Sequence, residues 1–371
     1  AASDVYKRQT LTTVFKSVGK IITTVWTGLW EGIKGITKAS VQGVKEVISS
    51  LSKVFFDISQ DGVKGFADVE LAAARAAKEI IDVAGNQTGA FGDLISNISS
   101  KFGQSASDVG EALFTAASRN VLRAAGPNAV AEANKLLSST AKLAAADNAS
   151  LNKSLDATLT IMANYKEEAG GVAKVTNLLA GTTTLGATTL DELAPALRNV
   201  IGSAKNLGFA LPDTLASVAR LTQVFGRGST KNVTQILNRF FEALSIPTSR
   251  ARSALDKLGI SFTNLFDSAG KAKPGALPKL LSQLSKLQSG LSAGDEGLFR
   301  DLFPLAQARR ASLGLLSDLD AFKKVREDIE KVNIGEQLGV LFNTLSKRLQ
   351  LVGSNLKAIN TQITGKFLGG I

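Results

Sequence analysis

The sequence predicts an all-α protein, and its composition and apolar spacing both indicate this class. Ala, Leu, Lys and Ser are abundant among the 371 residues, whereas aromatic residues make up only 6%. The first three of these favour helices, and strands are usually enriched in aromatic and β-branched residues. Apolar residues recur at three- and four-residue spacing in several segments, as on one face of a helix. The 34 glycines predict short and often interrupted helices.

The chain contains neither cysteine nor histidine, which narrows the chemistry open to it. Thiol nucleophiles, disulfides, Cys/His zinc sites and imidazole-based triads are excluded. Carboxylate, lysine, tyrosine or Ser/Lys chemistry stays open, but no motif of these classes is evident. We therefore expect no enzymatic activity, no cofactor, no metal site and no small-molecule substrate.

The N-terminal part is expected to form amphipathic helices. Residues 1–9 resemble translated adapter sequence and are excluded from fold reasoning, and residues 10–90 contain the predicted helices. One apolar stripe carries both tryptophans of the chain and comprises Ile22, Val25, Trp26, Leu29, Trp30 and Ile33. This stripe either packs on a neighbouring helix or, with lysines around it, lies on a membrane surface.

Residues 91–310 are predicted to form a compact multi-helix domain. The best-defined part is a helix capped by Ser229 and ended by Ile246-Pro247, since the residue before proline avoids helical angles. Thr248 or Ser249 then caps a second helix, which stops at Gly259. The simplest geometry is an antiparallel pair. The apolar face of the first helix comprises Val233, Ile236, Leu237, Phe240, Phe241 and Leu244.

A faint internal repeat predicts a duplicated helical unit within this domain. The segment Asp108–Leu113 resembles Glu192–Leu197, and each precedes a proline turn, at Pro127 and Pro212 respectively. Each turn is followed by an Ala/Leu-rich helix.

Three polar segments are considered as sites and set aside. The threonine-rich segment around Thr182–Thr184, interpreted as a loop, lacks the lysine of a phosphate-binding loop. Glu167 and Glu168 point about 100° apart on a helix and cannot easily flank one bond. Ser312 follows two arginines, Arg309 and Arg310, and a solvated helix face is the simpler interpretation.

Residues 311–371 are predicted to form a long helix or coiled-coil segment. Apolar residues step by four and three over more than three heptads, which is typical of a coiled-coil seam. This seam comprises Leu338, Phe342, Leu345, Leu349, Val352, Leu356, Ile359 and Ile363. A shorter seam is indicated by Leu277, Leu280, Leu284, Leu287 and Leu291.

Positive charge is concentrated in the C-terminal half. The net charge of the chain is +11, and residues 191–371 carry 24 basic and 15 acidic side chains. This excess is either a solvated basic surface or a surface for an acidic partner such as nucleic acid or lipid headgroups.

An ordered series of segments over about residues 91–350 resembles the core domain of the phage tail tape measure proteins. Each segment alone is weakly specific, but their order and spacing together are fairly specific. The segments are Ser107–Leu113, Ala129–Leu137, Ala141–Asp147, Thr189–Leu197, Asn206–Leu215, Leu244–Thr248, Ala254–Ile260 and Gly297–Ala306.

The resemblance implies a scaffold that occupies the lumen of the tail tube, limits its length and leaves the tube on infection to assist genome ejection. Implied partners are the tail tube protein, tail assembly chaperones and other copies of the chain, with transient contact to host membrane and phage DNA. The implied location is the virion, and the host cytoplasm during assembly.

The turns within the chain indicate that it is not itself the measuring rod. A single helix of this length would extend about 560 Å, whereas the punctuation predicts a folded domain. We expect the rod to begin near the C-terminal seam and to continue beyond Ile371. Two alternatives stay open: a membrane-active helical protein without a length-setting role, and a tail component fused to a cell-wall hydrolase.

Overall fold

The computed structural model describes residues 68–79, 88–245, 248–288 and 295–342, and their regular structure is helical, which confirms the all-α prediction. The α-helices in these ranges are α1 (68–79), α2 (Thr88–Phe102), α3 (Ala106–Ser118), α4 (Ala129–Asp147), α5 (Leu151–Tyr165), α6 (Val172–Leu185), α7 (Leu190–Asn206), α8 (Leu211–Phe225), α9 (Thr230–Ser245), α10 (Ser249–Lys257), α11 (Phe262–Leu265), α12 (Ala276–Gln288), α13 (Asp295–Leu302), α14 (Ala306–Leu316), α15 (Leu319–Asp328) and α16 (Ile334–Phe342). Two 3-10 helices, Arg123–Asn128 and Lys166–Ala169, precede α4 and α6. The longest helix in the described ranges, α4, has 19 residues, in line with the expectation of short helices.

Two apolar cores hold these helices together within one compact unit. The N-terminal core is built from buried residues of α1 to α6, from Val69 to Val172. The C-terminal core is built from α4 to α16, from Leu143 to Leu338. Helices α4, α5 and α6 contribute to both cores, and Met162 of α5 packs against each of them. These three helices therefore form the continuous centre of the unit.

The threonine-rich segment is part of a buried helix, so its interpretation as a loop was wrong. Thr182 and Thr183 lie in α6, which contacts α4, α5, α7, α8 and α16. Threonine usually disfavours helix interiors. Here Thr182 Oγ1 donates to the Leu178 carbonyl at 2.8 Å, and Thr183 Oγ1 donates to the Ala180 carbonyl at 3.1 Å. Because carbonyl groups of the helix itself accept these hydroxyls, the side chains can be buried in the core.

Gly181 allows α6 to approach the chain after α15 closely. A Cβ atom at this position would lie 2.8 Å from both the carbonyl oxygen and Cγ1 of Ile329. The glycine is therefore required by the close approach of the two segments, not by its backbone angles.

We expect Gly181→Ala to lower the free energy of unfolding by about 1–3 kcal/mol, because the added methyl group overpacks the contact with Ile329. Gly339→Ala is the matched control, since Gly339 is also helical and a Cβ there meets nothing within 4 Å. Helix propensity alone would make the control neutral or stabilising. Urea denaturation measures both variants, and equal stabilities of Gly181→Ala and the wild type would contradict the close approach.

The predicted helices around residue 247 form, but they do not pair as expected. Helix α9 ends at Ser245, Thr248 Oγ1 accepts the Ala251 N–H at 3.1 Å to cap α10, and Gly259 has a φ of 68°. All six residues predicted for the apolar face of α9 are buried. In the described structure, however, α9 packs mainly on α7 and α14, and α10 packs on α13. The antiparallel pairing of α9 and α10 was therefore wrong.

The repeated segments share their capping chemistry. Ser105 Oγ accepts the Asp108 N–H at 3.0 Å at the start of α3, and Thr189 Oγ1 accepts the Glu192 N–H at 3.3 Å at the start of α7. In each case a hydroxyl residue caps a helix whose third residue is acidic, which also favours the positive end of the helix dipole. Local chemistry thus accounts for the acidic residue that begins each segment, and the duplication of a helical unit stays a prediction.

A ladder of seven phenylalanines runs through the C-terminal core. Neighbouring ring centroids lie 4.5–6.3 Å apart along the whole series. Such distances are typical of favourable aromatic pairs. The ladder links α9, α11, α13 and the segments that flank α8 and α14. In spatial order its members are Phe262, Phe266, Phe209, Phe241, Phe240, Phe303 and Phe299.

Candidate functional site

One cavity of about 330 Å³ lies between α4, α6 and α16. Its lining is mostly apolar and includes Leu143, Ala146, Ala180 and Gln337, together with the carboxylate of Asp147. Gln337 closes one side, where its Nε2 donates to Thr184 Oγ1 at 2.9 Å. The cavity is at the lower end of the size range of small-molecule sites.

Asp147 is committed to a structural hydrogen bond. Its Oδ2 accepts the N–H of Leu190 at 2.6 Å, which joins the end of α4 to the first residue of α7. Burial raises the pKa of Asp147, although the hydrogen bonds from Leu190 and Thr183 counteract this effect. The carboxylate thus satisfies one of the free N–H groups at the start of α7.

A cluster of three charged side chains connects α8 to α15 in the C-terminal core. Arg326 Nε donates to Asp213, whose side chain is only 5% exposed, and Arg326 Nη1 donates to Glu330 at 2.5 Å. Burial raises the pKa of Asp213, and the hydrogen bond and charge of Arg326 counteract that shift. Asp213 also lies in the first turn of α8, where a negative charge is favoured by the helix dipole.

Asp156 ties three helices together. This residue of α5 pairs with Arg119 at the end of α3, and its Oδ2 accepts from Arg198 Nη2 of α7 at 2.6 Å. The Asp156 side chain is 18% exposed, so it is partly shielded from solvent. Such a shared carboxylate fixes the relative positions of α3, α5 and α7.

Tyr165 is the largest buried polar side chain and is likewise used for packing. Its hydroxyl donates to the Phe209 carbonyl at 3.0 Å and lies 3.4 Å from Thr214 Oγ1. Burial raises the pKa of Tyr165 to about 12. The phenol therefore stays protonated at neutral pH and serves as a hydrogen-bond donor.

The residues set aside in the sequence also have structural partners. Glu167 and Glu168 lie in the 3-10 helix Lys166–Ala169, and Glu168 pairs with Lys205. Ser312 is buried and donates to the Arg309 carbonyl at 2.9 Å within α14, so its interpretation as part of a solvated face was wrong. These contacts join or stabilise helices.

No group of three or more acidic side chains in the described ranges is placed to hold a metal ion. None of the helices described combines the length and hydropathy of a membrane span.

Most of the site residues predicted from the sequence lie outside the described residues. This applies to residues 1–9 and to the whole tryptophan-bearing stripe, comprising Ile22, Val25, Trp26, Leu29, Trp30 and Ile33. Of the C-terminal seam, Leu338 lies in α16 and is 5% exposed within the C-terminal core, and Phe342 is the last residue of that helix. The rest of the seam, comprising Leu345, Leu349, Val352, Leu356, Ile359 and Ile363, lies outside the described residues.

Three leucines of the shorter seam are buried inside the helical unit. Leu277, Leu280 and Leu284 of α12 are at most 2% exposed and belong to the C-terminal core. Helix α12 contacts α11, α14 and α15. These three leucines therefore pack against other helices of the same unit, whereas Leu291 of the predicted seam lies outside the described residues.

Taken together, the fold and its buried polar contacts define a helical domain in which polar side chains connect helices. Residues 92–303 match the model of the family described as phage-related minor tail protein. Because this match covers more than half of the chain, the protein belongs to that family and is a bacteriophage tail protein. No curated protein and no solved structure matches the chain.

Proposed function

We propose that this protein is a tail tape measure protein, a scaffold in the lumen of the tail tube that sets tail length and leaves on infection to assist genome ejection. The family match over residues 92–303 carries the proposal. That range lies within the helical unit and ends between α13 and α14. A structural role without catalysis agrees with polar side chains that are engaged in joining helices.

The position of the C-terminal seam supports different roles for two parts of the chain. Its first residue, Leu338, is buried in the domain core, and the heptad spacing continues in the sequence to Ile363. We therefore assign the folded unit the role of an anchor and the seam the role of the first part of a rod. Its partners would be the tube protein, tail assembly chaperones and other copies of the chain.

The experiment that tests this function changes the length of the seam in the phage. Duplicating residues 338–365 adds four heptads and keeps the apolar phase, so a helical rod would gain about 42 Å. Tails should lengthen by about this amount, as measured on negatively stained particles. Removing the gene should leave no tails or tubes of uncontrolled length.

The matched control inserts a flexible segment of equal length at Arg227-Gly228, an exposed turn between α8 and α9. This insertion lengthens the chain but not the rod, so tail length should stay that of the wild type. Tails of normal length from the seam duplication, or from a phage without the gene, would contradict the proposed function.

A further inference from the structure

Part of the excess of positive charge in the C-terminal half lies in one continuous segment of the described structure. The segment 249–279, which spans α10, α11 and the start of α12, contains six basic and two acidic side chains. All six basic side chains are exposed. We call them the basic patch, and its members are Arg250, Arg252, Lys257, Lys271, Lys273 and Lys279.

The side chains of the patch make no ion pairs with the described residues. Some other cations of the described residues are paired, such as Arg198 with Asp156 and Lys324 with Asp328. Asp267, one of the two acidic residues of the segment, accepts the backbone N–H groups of Ala269 and Lys271. The positive charge of the patch is therefore largely uncompensated within this part of the chain.

Local contacts place two members of the patch beside α11. The guanidinium of Arg252 lies 5.6 Å from the ring centroid of Phe262, and Lys273 Nζ donates to the Thr263 carbonyl at 2.7 Å. Arg252 and Lys273 thus flank the same short helix from two different elements. These contacts bring two cations of the patch to adjacent residues, Phe262 and Thr263.

We propose that the basic patch binds the phosphate backbone of double-stranded DNA without sequence preference. Duplex DNA carries one negative charge per about 1.7 Å of its axis, so a surface with several free cations can contact several phosphates at once. Arginine held over an aromatic ring is well suited to phosphate, because its planar fork is pre-organised. The segment offers no exposed aromatic ring on which unpaired bases could stack, which favours a duplex over a single strand.

A phosphate backbone also suits the patch better than a membrane surface does. Interfacial binding requires apolar side chains that enter the lipid. The large apolar side chains exposed in the described residues are Leu71, Phe114, Val224, Leu305 and Leu313, and all of them lie outside the segment 249–279. The patch therefore offers charge without an apolar anchor.

This inference extends the proposed function, since a protein in the tube lumen would share the path of the genome. It is tested with the purified full chain and labelled 30-base-pair DNA of two unrelated sequences, by fluorescence anisotropy at several salt concentrations. The patch variant combines Arg250→Gln, Lys271→Gln and Lys279→Gln. The matched control combines Lys135→Gln, Lys142→Gln and Lys231→Gln, which remove the same charge from exposed positions on α4 and α9.

The wild type should bind both sequences equally and more weakly as salt increases. The patch variant should lose on the order of tenfold or more in affinity, and its slope of log affinity against log salt should fall by about 2.7, since each phosphate contact contributes about 0.9. The control variant should keep the slope of the wild type. Thermal melting followed by circular dichroism verifies that both variants are folded.

Three outcomes would overturn the inference: no binding of DNA by the wild type, equal losses in the two triple variants, or tighter binding to phosphatidylserine vesicles than to DNA. Because the assay needs no assembled tails, its failure would leave the length-setting proposal standing. Conversely, DNA binding could persist in a protein that does not set tail length. The DNA-binding proposal and the length-setting proposal can therefore be refuted independently of each other.

Discussion

Replacing Phe241 by alanine is expected to lower the free energy of unfolding by about 3–5 kcal/mol. The Phe241 side chain is fully buried at 0% exposure, in the centre of the phenylalanine ladder. Its ring centroid lies 5.0 Å from that of Phe209 and 5.8 Å from that of Phe240. The truncation therefore removes two aromatic contacts and leaves a cavity that helices on several sides cannot easily fill.

Chemical denaturation of the full chain, followed by circular dichroism at 222 nm, measures the loss. Phe114→Ala is the matched control, because Phe114 lies in α3 and is 37% exposed, so its truncation should cost about 1 kcal/mol or less. Phe241→Leu should recover part of the stability by refilling some of the cavity. Equal effects of the two alanine variants would mean that the ladder does not stabilise the C-terminal core.

The sequence predicted those features of the fold that depend on neighbouring residues. In α9, the apolar spacing from Val233 to Leu244 identified each buried face residue. The cap at Thr248 and the left-handed Gly259 were also read correctly, because capping and positive φ depend on residue type at one position. Such signals are local and therefore visible in the sequence.

Features that depend on distant residues were not predictable in this way. The ladder joins Phe209 to Phe266, and no periodicity links these positions. Asp213 and Arg326 are 113 residues apart and meet only because α15 packs on α8. The threonines of α6 were misread for a different reason. Their propensity opposes a helix, but hydrogen bonds to preceding carbonyls and burial in the core outweigh it.

The sequence predicted some properties of the candidate sites but not others. The basic character of the C-terminal half was evident from charge counting, but the exposure of the patch and its lack of ion pairs with described residues required the structure. Ion pairs compensate Arg239 and Arg326, whereas the six cations of the patch make none with described residues. The two apolar stripes that were predicted as interaction sites, around Trp26 and beyond Phe342, stay predictions.

Arg326→Leu is expected to lower the free energy of unfolding by about 3 kcal/mol at neutral pH. Removing one partner of a buried ion pair leaves an uncompensated charge, which typically costs about 3–5 kcal/mol. The lower end applies because the Arg326 side chain is 28% exposed, although Asp213 is only 5% exposed. Arg239→Leu is the control, since its partner Glu242 is exposed and such surface pairs contribute about 1 kcal/mol or less.

The pH dependence separates loss of charge from loss of packing. Burial raises the pKa of Asp213 above its ordinary value of 3.8, and Arg326 counteracts this shift. The folded state therefore binds the proton more tightly than the unfolded state, and stability rises as the pH falls through the folded-state pKa, down to about 3.8. Without Arg326 the pKa of Asp213 rises further, so the variant gains more stability on acidification than the wild type. Urea denaturation between about pH 7 and pH 4 should show that the stability difference between Arg326→Leu and the wild type shrinks as the pH falls. A stability difference independent of pH would contradict the role of the charge. It would assign the loss to the aliphatic part of the arginine side chain.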